Sequence, residues 1–218
     1  MSRRTDEGTK TGRNRLSREL RSTALILGTL LATMWLLETV DFFLGGALDS
    51  YGVVPRRIAG LKGILLMPFL HGGFAHLAGN SVWLAFFGTM ILLRSKREFA
   101  IVFLSSTVLG GLGVWLFGNL VGPLGVHIGA SGVIFGCFGY LLSMGLFERK
   151  LGSLLVSTLV LLMYGGFLYG VLPGQAGVSW EAHLFGFLAG VVTARWVAHR
   201  QRAQTQKTTL GPTSDSLT

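Results

Sequence analysis

At 218 residues the chain is long enough for one domain of ordinary size or one compact bundle. Half of its residues are hydrophobic, the mean hydropathy is +0.56, and only 13% are charged against ~25% in soluble domains, so a water-soluble globule is excluded. The 32 glycines follow no collagen period and there are only 5 prolines, which excludes collagen and low-complexity disorder and leaves an integral membrane protein.

The net charge of +9 does not point to nucleic acid. Seven basic residues lie in the first 21 (Arg3, Arg4, Lys10, Arg13, Arg15, Arg18, Arg21) and four near the C-terminal end (Arg195, Arg200, Arg202, Lys207). The rest flank apolar stretches, without the interleaved aromatics of a nucleic-acid patch. Basic residues so placed read as topology signals facing anionic lipid. The lone Cys137 sits in an apolar segment and excludes an intramolecular disulfide.

A membrane helix needs about 20 mostly apolar residues. Six stretches qualify or nearly qualify: 23–44, 74–93, 98–121, 130–147, 151–172 and 180–198. The first follows a basic arm without a small-residue cleavage pattern, so it reads as a signal anchor. The expected organisation is a disordered cytoplasmic arm (1–21), a six-helix membrane domain (22–199) and a disordered polar cytoplasmic tail (200–218). With the N-terminus inside, sixteen Lys and Arg fall on the inner side and three (Arg56, Arg57, Lys62) on the outer. The second, fourth and sixth spans then run from outside to inside. The long first outer loop, 45–73, is partly apolar from Ile64 to Leu70 and is expected to lie at the interface. Glu38 and Asp41, at the outer end of the first span, are expected to be structural and to pair with Arg56 or Arg57.

Ionisable residues inside spans are costly and point by default to function. Here they open the even-numbered spans. The second begins His71-Gly-Gly-Phe-Ala-His76-Leu-Ala-Gly-Asn80, with His76 and Asn80 one turn apart on one face. The fourth begins Gly129-Ala130-Ser131-Gly132, and the sixth Glu181-Ala182-His183-Leu-Phe-Gly186, with Gly190 one turn on. Gly186 and Gly190 make a small-residue face that Gly132 and Gly136 can match. Packing those faces brings Ser131 and His183 to one depth, as a hydroxyl nucleophile and an imidazole base require. The duller reading is that each feature serves packing: small-residue pairs are common, and a lone membrane serine usually bonds its own helix. A metal is not expected, because His71, His76 and His183 come without carboxylate or thiolate partners at ligand spacing.

His71, His76 and Asn80 on span two, Gly-Ala-Ser131-Gly on span four, and His183, Gly186 and Gly190 on span six resemble the rhomboid family of intramembrane serine proteases. The resemblance covers about 23–198, with six spans and both termini inside, as in the basic bacterial form. It implies a rhomboid-like all-α bundle of six transmembrane helices in a bacterial plasma membrane. It also implies a Ser131–His183 dyad without an acid and without a cofactor. Asn80, His76 and the backbone of Ser131 would be oxyanion donors. His71, Gly129, Gly132, Phe135, Gly186 and Gly190 would support them, Phe135 by stacking on the His183 ring. Tyr164-Gly165-Gly166-Phe167 and Tyr169-Gly170 give span five the look of a gate, or of a tightly packed helix. The implied partners are single-span or multi-span membrane substrates and lipid, the oligomeric state being open. The alternative is a proteolytically inactive relative that binds transmembrane helices. One departure stands out: many rhomboids carry a Trp-Arg pair in the first loop, where this chain has Val53-Val54-Pro55-Arg56-Arg57.

Overall fold

The computed structural model describes residues 3–119, 125–175 and 177–210. Parts of the arm, of the third loop and of the tail, and residue 176, lie outside the described residues. Among the described residues there are six long helices, α1 Arg3–Phe43, α2 Phe74–Arg94, α3 Lys96–Phe117, α4 Ser131–Glu148, α5 Leu151–Val171 and α6 Trp180–Leu210, with short helical turns in the first loop. Among the described residues there is no strand, only an isolated antiparallel bridge between Val53 and His127. We refer to the end at which α2, α4 and α6 begin as the upper end.

Local chemistry sets several boundaries. The Ser95 hydroxyl accepts the Glu98 N–H and caps α3 at Ser95-Lys96-Arg97-Glu98. Arg149 stops α4 in a left-handed conformation with φ 56°. Midway, α3 widens to π-helix over Ser106–Gly110, a local bulge frequent at functional sites. The upper third of α5 tightens to 3₁₀ over Gly165–Val171.

The core is organised around α4, of whose 18 residues 14 are buried. A helix enclosed on all sides must be apolar or small all round, which is why its sequence shows no polar stripe. Its principal partner is α6, and the small-residue faces expected from sequence meet here. A Cβ on Gly186 would lie 2.0 Å from the Gly132 carbonyl, and one on Gly190 2.0 Å from that of Gly136. Any side chain at either position would push the helices apart.

Among the described residues five helices are long and apolar enough to cross a membrane, and the protein is a multi-pass membrane protein. The sixth differs from the expectation: Glu181, His183 and Arg195 interrupt its apolar run, and it is carried by packing on α4 rather than by its own hydropathy. The described helical bounds of α1 and α6 begin at Arg3 and end at Leu210 respectively.

The first loop packs part of its apolar run into the protein. Val53, Ile64, Met67 and Leu70 are buried in protein, while Leu65 and Leu66 face outward. The expected pairing of Glu38 or Asp41 with Arg56 or Arg57 is not made. Asp41 instead accepts the Leu48 N–H at 2.6 Å, and the Arg56 guanidinium donates to the carbonyls of Gly118 and Asn119 at 2.7 and 3.1 Å. The missing loop tryptophan is replaced from α3: Trp115 Nε1 donates to the Arg57 carbonyl at 2.8 Å, and the Arg56 N–H to the Trp115 carbonyl at 2.9 Å.

At the lower end a closed polar network joins five helices, α2 to α6. Arg94 pairs with Glu98 at 2.7 Å and with Glu148. The Glu148 carboxylate also accepts the Ser153 hydroxyl. Tyr140 donates to Glu98 at 2.7 Å, and the Gln201 amide donates to it at 3.1 Å.

Candidate active site

The upper end holds a cavity of about 760 Å³. Ser131, His183, His76 and Asn80 all line it, contributed by α4, α6 and α2. They converge because each stands in the first two turns of a helix that starts at this end.

Ser131 is the first residue of α4, and Ile134 is the first to close an intrahelical bond, to the Ala130 carbonyl at 3.0 Å. The backbone N–H groups from Ser131 to Val133 therefore point out of the helix end without intrahelical acceptors. The preceding turn is held from two sides. The Gly129 N–H donates to the Met67 carbonyl at 2.8 Å, and the Ala130 N–H approaches His71 Nε2 at 3.4 Å. Burial, reinforced by the neighbouring His76, pushes the His71 pKa down to about 4, which keeps its ring neutral and able to accept that bond. Gly129 is required twice over: its φ is +111°, and a Cβ would lie 2.8 Å from His76 Cε1 and 3.3 Å from Asn80 Nδ2.

The His183 ring is fixed on two sides. It stacks on Phe135 with centroids 4.0 Å apart and planes 11° from parallel. Its Nδ1 lies 2.9 Å from the Gly170 carbonyl of α5, which can only accept, so Nδ1 carries the proton and Nε2 keeps its lone pair. Among the described residues Ser131 and His183 share the cavity without a hydrogen bond between them, and such bonds often tighten only when substrate is bound. Asn80 is buried, and its side-chain Nδ2 has no acceptor among the described residues. A buried donor left unmet costs about 1–3 kcal/mol. Near a helix end of free N–H groups, it is positioned to meet an anionic oxygen.

The site residues read from sequence thus fall in two sets. Ser131, His183, His76, Asn80 and Phe135 line the cavity. His71, Gly129, Gly132, Gly186 and Gly190 lie behind it as backbone and helix-packing supports. The sequence reading missed a third set that also lines the cavity, Asn119, His127, Ser179 and Glu181. His127 is buried, with Nδ1 2.5 Å from Ser179 Oγ and Nε2 2.5 Å from Asn119 Oδ1. Burial holds its pKa below the usual histidine value, against the opposing pull of Glu181. A single histidine four residues before Ser131 was the available signal. At the side of the cavity, Trp83 of α2 and Phe167 of α5 meet edge to face at 4.6 Å. Among the described residues no cluster of three His, Cys, Asp or Glu side chains is arranged to hold a metal.

The fold is thus a multi-pass helical membrane bundle with a serine and a histidine lining one cavity at its upper end. Residues 59–200 match the rhomboid domain, and the chain belongs to the rhomboid family. It is similar to an uncharacterized protein of Mycobacterium tuberculosis, with 40% identity over 179 residues covering 80% of this chain and 75% of the other. A Bacillus subtilis protein named as a candidate rhomboid protease is 32% identical over 134 residues, 58% of this chain and 62% of its own. RHOMBOID-like protein 5 of Arabidopsis thaliana is 36% identical over 130 residues, 56% of this chain and 39% of its own.

Proposed function

We propose that this protein is an intramembrane serine endopeptidase that cleaves transmembrane segments of other membrane proteins. In this reading it lies in a bacterial plasma membrane with both termini cytoplasmic, so that the upper end faces outward. The sixteen-to-three distribution of Lys and Arg supports that orientation. One observation carries the proposal. Ser131, at an open helix N-terminus, shares a cavity with a histidine whose Nδ1 is already committed to Gly170.

His183 Nε2 takes the Ser131 hydroxyl proton as Oγ attacks the scissile carbonyl, and then returns it to the departing amine. Stacking on Phe135 and the bond to Gly170 do for the ring what a carboxylate does in a three-member arrangement, holding tautomer and orientation. The tetrahedral oxyanion, which lipid cannot solvate, is met by the Asn80 amide, the His76 ring and the backbone N–H of Ser131. Water reaches the site through the cavity. A substrate helix has its backbone bonded internally and must unwind to be cut, so small or helix-breaking residues near its outer end are favoured. The Trp83–Phe167 contact between α2 and α5 lies where such a helix would approach from lipid.

The rival reading is an inactive family member that binds transmembrane helices, and it draws on the unmade Ser131–His183 bond. Cleavage of a single-span reporter by the purified protein in detergent decides between them. Cleavage that disappears in both Ser131→Ala and His183→Ala supports the protease. Binding of the reporter without cleavage by any form supports the rival.

A further inference from the structure

We propose that His127 is a positioning residue for the dyad, its imidazole tying the segment that delivers Ser131 to the segment that delivers His183. The proposal rests on the protease reading of the same cavity. His127 stands four residues before Ser131, and Ser179 four residues before His183. The 2.5 Å contact between His127 Nδ1 and Ser179 Oγ therefore joins the two lead-in segments directly, beside the reacting groups.

The bonding has a defined direction. Asn119 Oδ1 lies 2.5 Å from Nε2 and is also approached by the Gly125 N–H at 3.4 Å, which marks it as an acceptor. Nε2 must then donate, which leaves Nδ1 to accept the Ser179 hydroxyl proton. Ser179 in turn receives the first turn of α6. Its Oγ accepts the Ala182 N–H at 3.3 Å, and its carbonyl accepts the His183 N–H at 3.2 Å. Neither end of this strut floats. The His127 backbone exchanges bonds with Val53 at 3.0 and 2.9 Å, which pins it to the first loop. Asn119, in a left-handed conformation with φ 48°, donates its backbone N–H to the buried Glu181 at 3.0 Å, one residue from the start of α6. The imidazole thus joins Asn119 and Ser179 while the His127 backbone holds the first loop, and its bond to Ser179 links the two segments that set the spacing of nucleophile and base.

Small displacements of reacting groups have large kinetic costs, on the order of 10²-fold for about 1 Å. The test compares Ser179→Val with its near-isostere Ser179→Thr, which keeps the hydroxyl, alongside His127→Ala and the His127→Ala/Ser179→Val double variant. Readouts are kcat and KM on the single-span reporter, the rate of fluorophosphonate labelling of Ser131, and thermal stability. Ser179→Val and His127→Ala are expected to lower kcat and labelling roughly 10- to 100-fold. KM should stay within about twofold, because the strut acts on the spacing of the dyad and so on the chemical step. Ser179→Thr should remain near wild type, and the double variant should be no slower than the slower single. Wild-type kcat in folded Ser179→Val, losses that follow the folded fraction alone, or losses that multiply in the double variant overturn the proposal. An inert wild type removes the protease reading and this proposal with it. An active wild type with indifferent variants removes this proposal alone.

Discussion

The closed network at the lower end and the groups around Ser131 at the upper end are buried polar sets of similar kind, treated in opposite ways. At the lower end Arg94, Glu98, Glu148, Tyr140, Ser153 and Gln201 satisfy one another in a closed network. At the upper end Asn80 keeps a buried amide without an acceptor, α4 begins with free N–H groups, and the His183 ring is held on one nitrogen with the other open. The difference teaches how to separate structure from function among buried polar residues. A satisfied network rigidifies the fold. A set of oriented but unmet donors is costly to the folded state and gains only when an anionic oxygen arrives.

The comparison breaks most sharply at the dyad. Ser131→Ala or His183→Ala is expected to reduce reporter cleavage by roughly 10⁴-fold or more while leaving thermal stability nearly unchanged, measured on the same preparations. Asn80→Ala should cost about 10²–10³ in kcat. Its stability should hold or rise, because an unmet buried amide is removed. The lower end should answer in the reverse sense. Arg94→Ala strands two carboxylates, that of Glu148 almost wholly buried, and should lower stability by about 3 kcal/mol. Cleavage per folded molecule should stay at the wild-type level, and a kcat loss matching that of Asn80→Ala would dissolve the distinction between the ends.

The smallest expected effect concerns pH. His71 is neutral in the folded state down to about 4, whereas in the unfolded chain it takes up a proton near its ordinary value of about 6.5. The unfolded state therefore binds more protons as pH falls from about 6.5 toward 4, and stability declines across that window. His71→Gln should flatten this acid decline when melting is followed from pH 7 to 4.5. An unchanged slope would place the acid sensitivity elsewhere.

Much of the upper end was legible in the sequence because its residues obey helical spacing. His76 and Asn80 lie one turn apart, and the Gly132/Gly136 and Gly186/Gly190 faces match and do meet. What escaped has no period. Asn119 and His127 come from the loop before α4 and Ser179 from the loop before α6, and only the folded chain brings them together. Trp115 anchors the first loop from 58 residues away, so the absence of a tryptophan in the loop itself hid the anchor. Counting Lys and Arg for topology passed over Glu98 and Glu148, the acidic partners of Arg94. Arg56 and Asp41 were matched by charge, yet each satisfied backbone groups instead, the commoner fate of side-chain hydrogen bonds. The weak hydropathy of α6 is the cost of carrying Glu181 and His183 into the bundle, and burial against α4 offsets it.

The measurement that tests the account most directly is peptide mapping of the protein after reaction with a fluorophosphonate. A single phosphonyl adduct on Ser131, formed by the wild type and lost in His183→Ala, is the result predicted for an activated serine served by that base. An adduct elsewhere, or labelling of Ser131 at the same rate without His183, would contradict it.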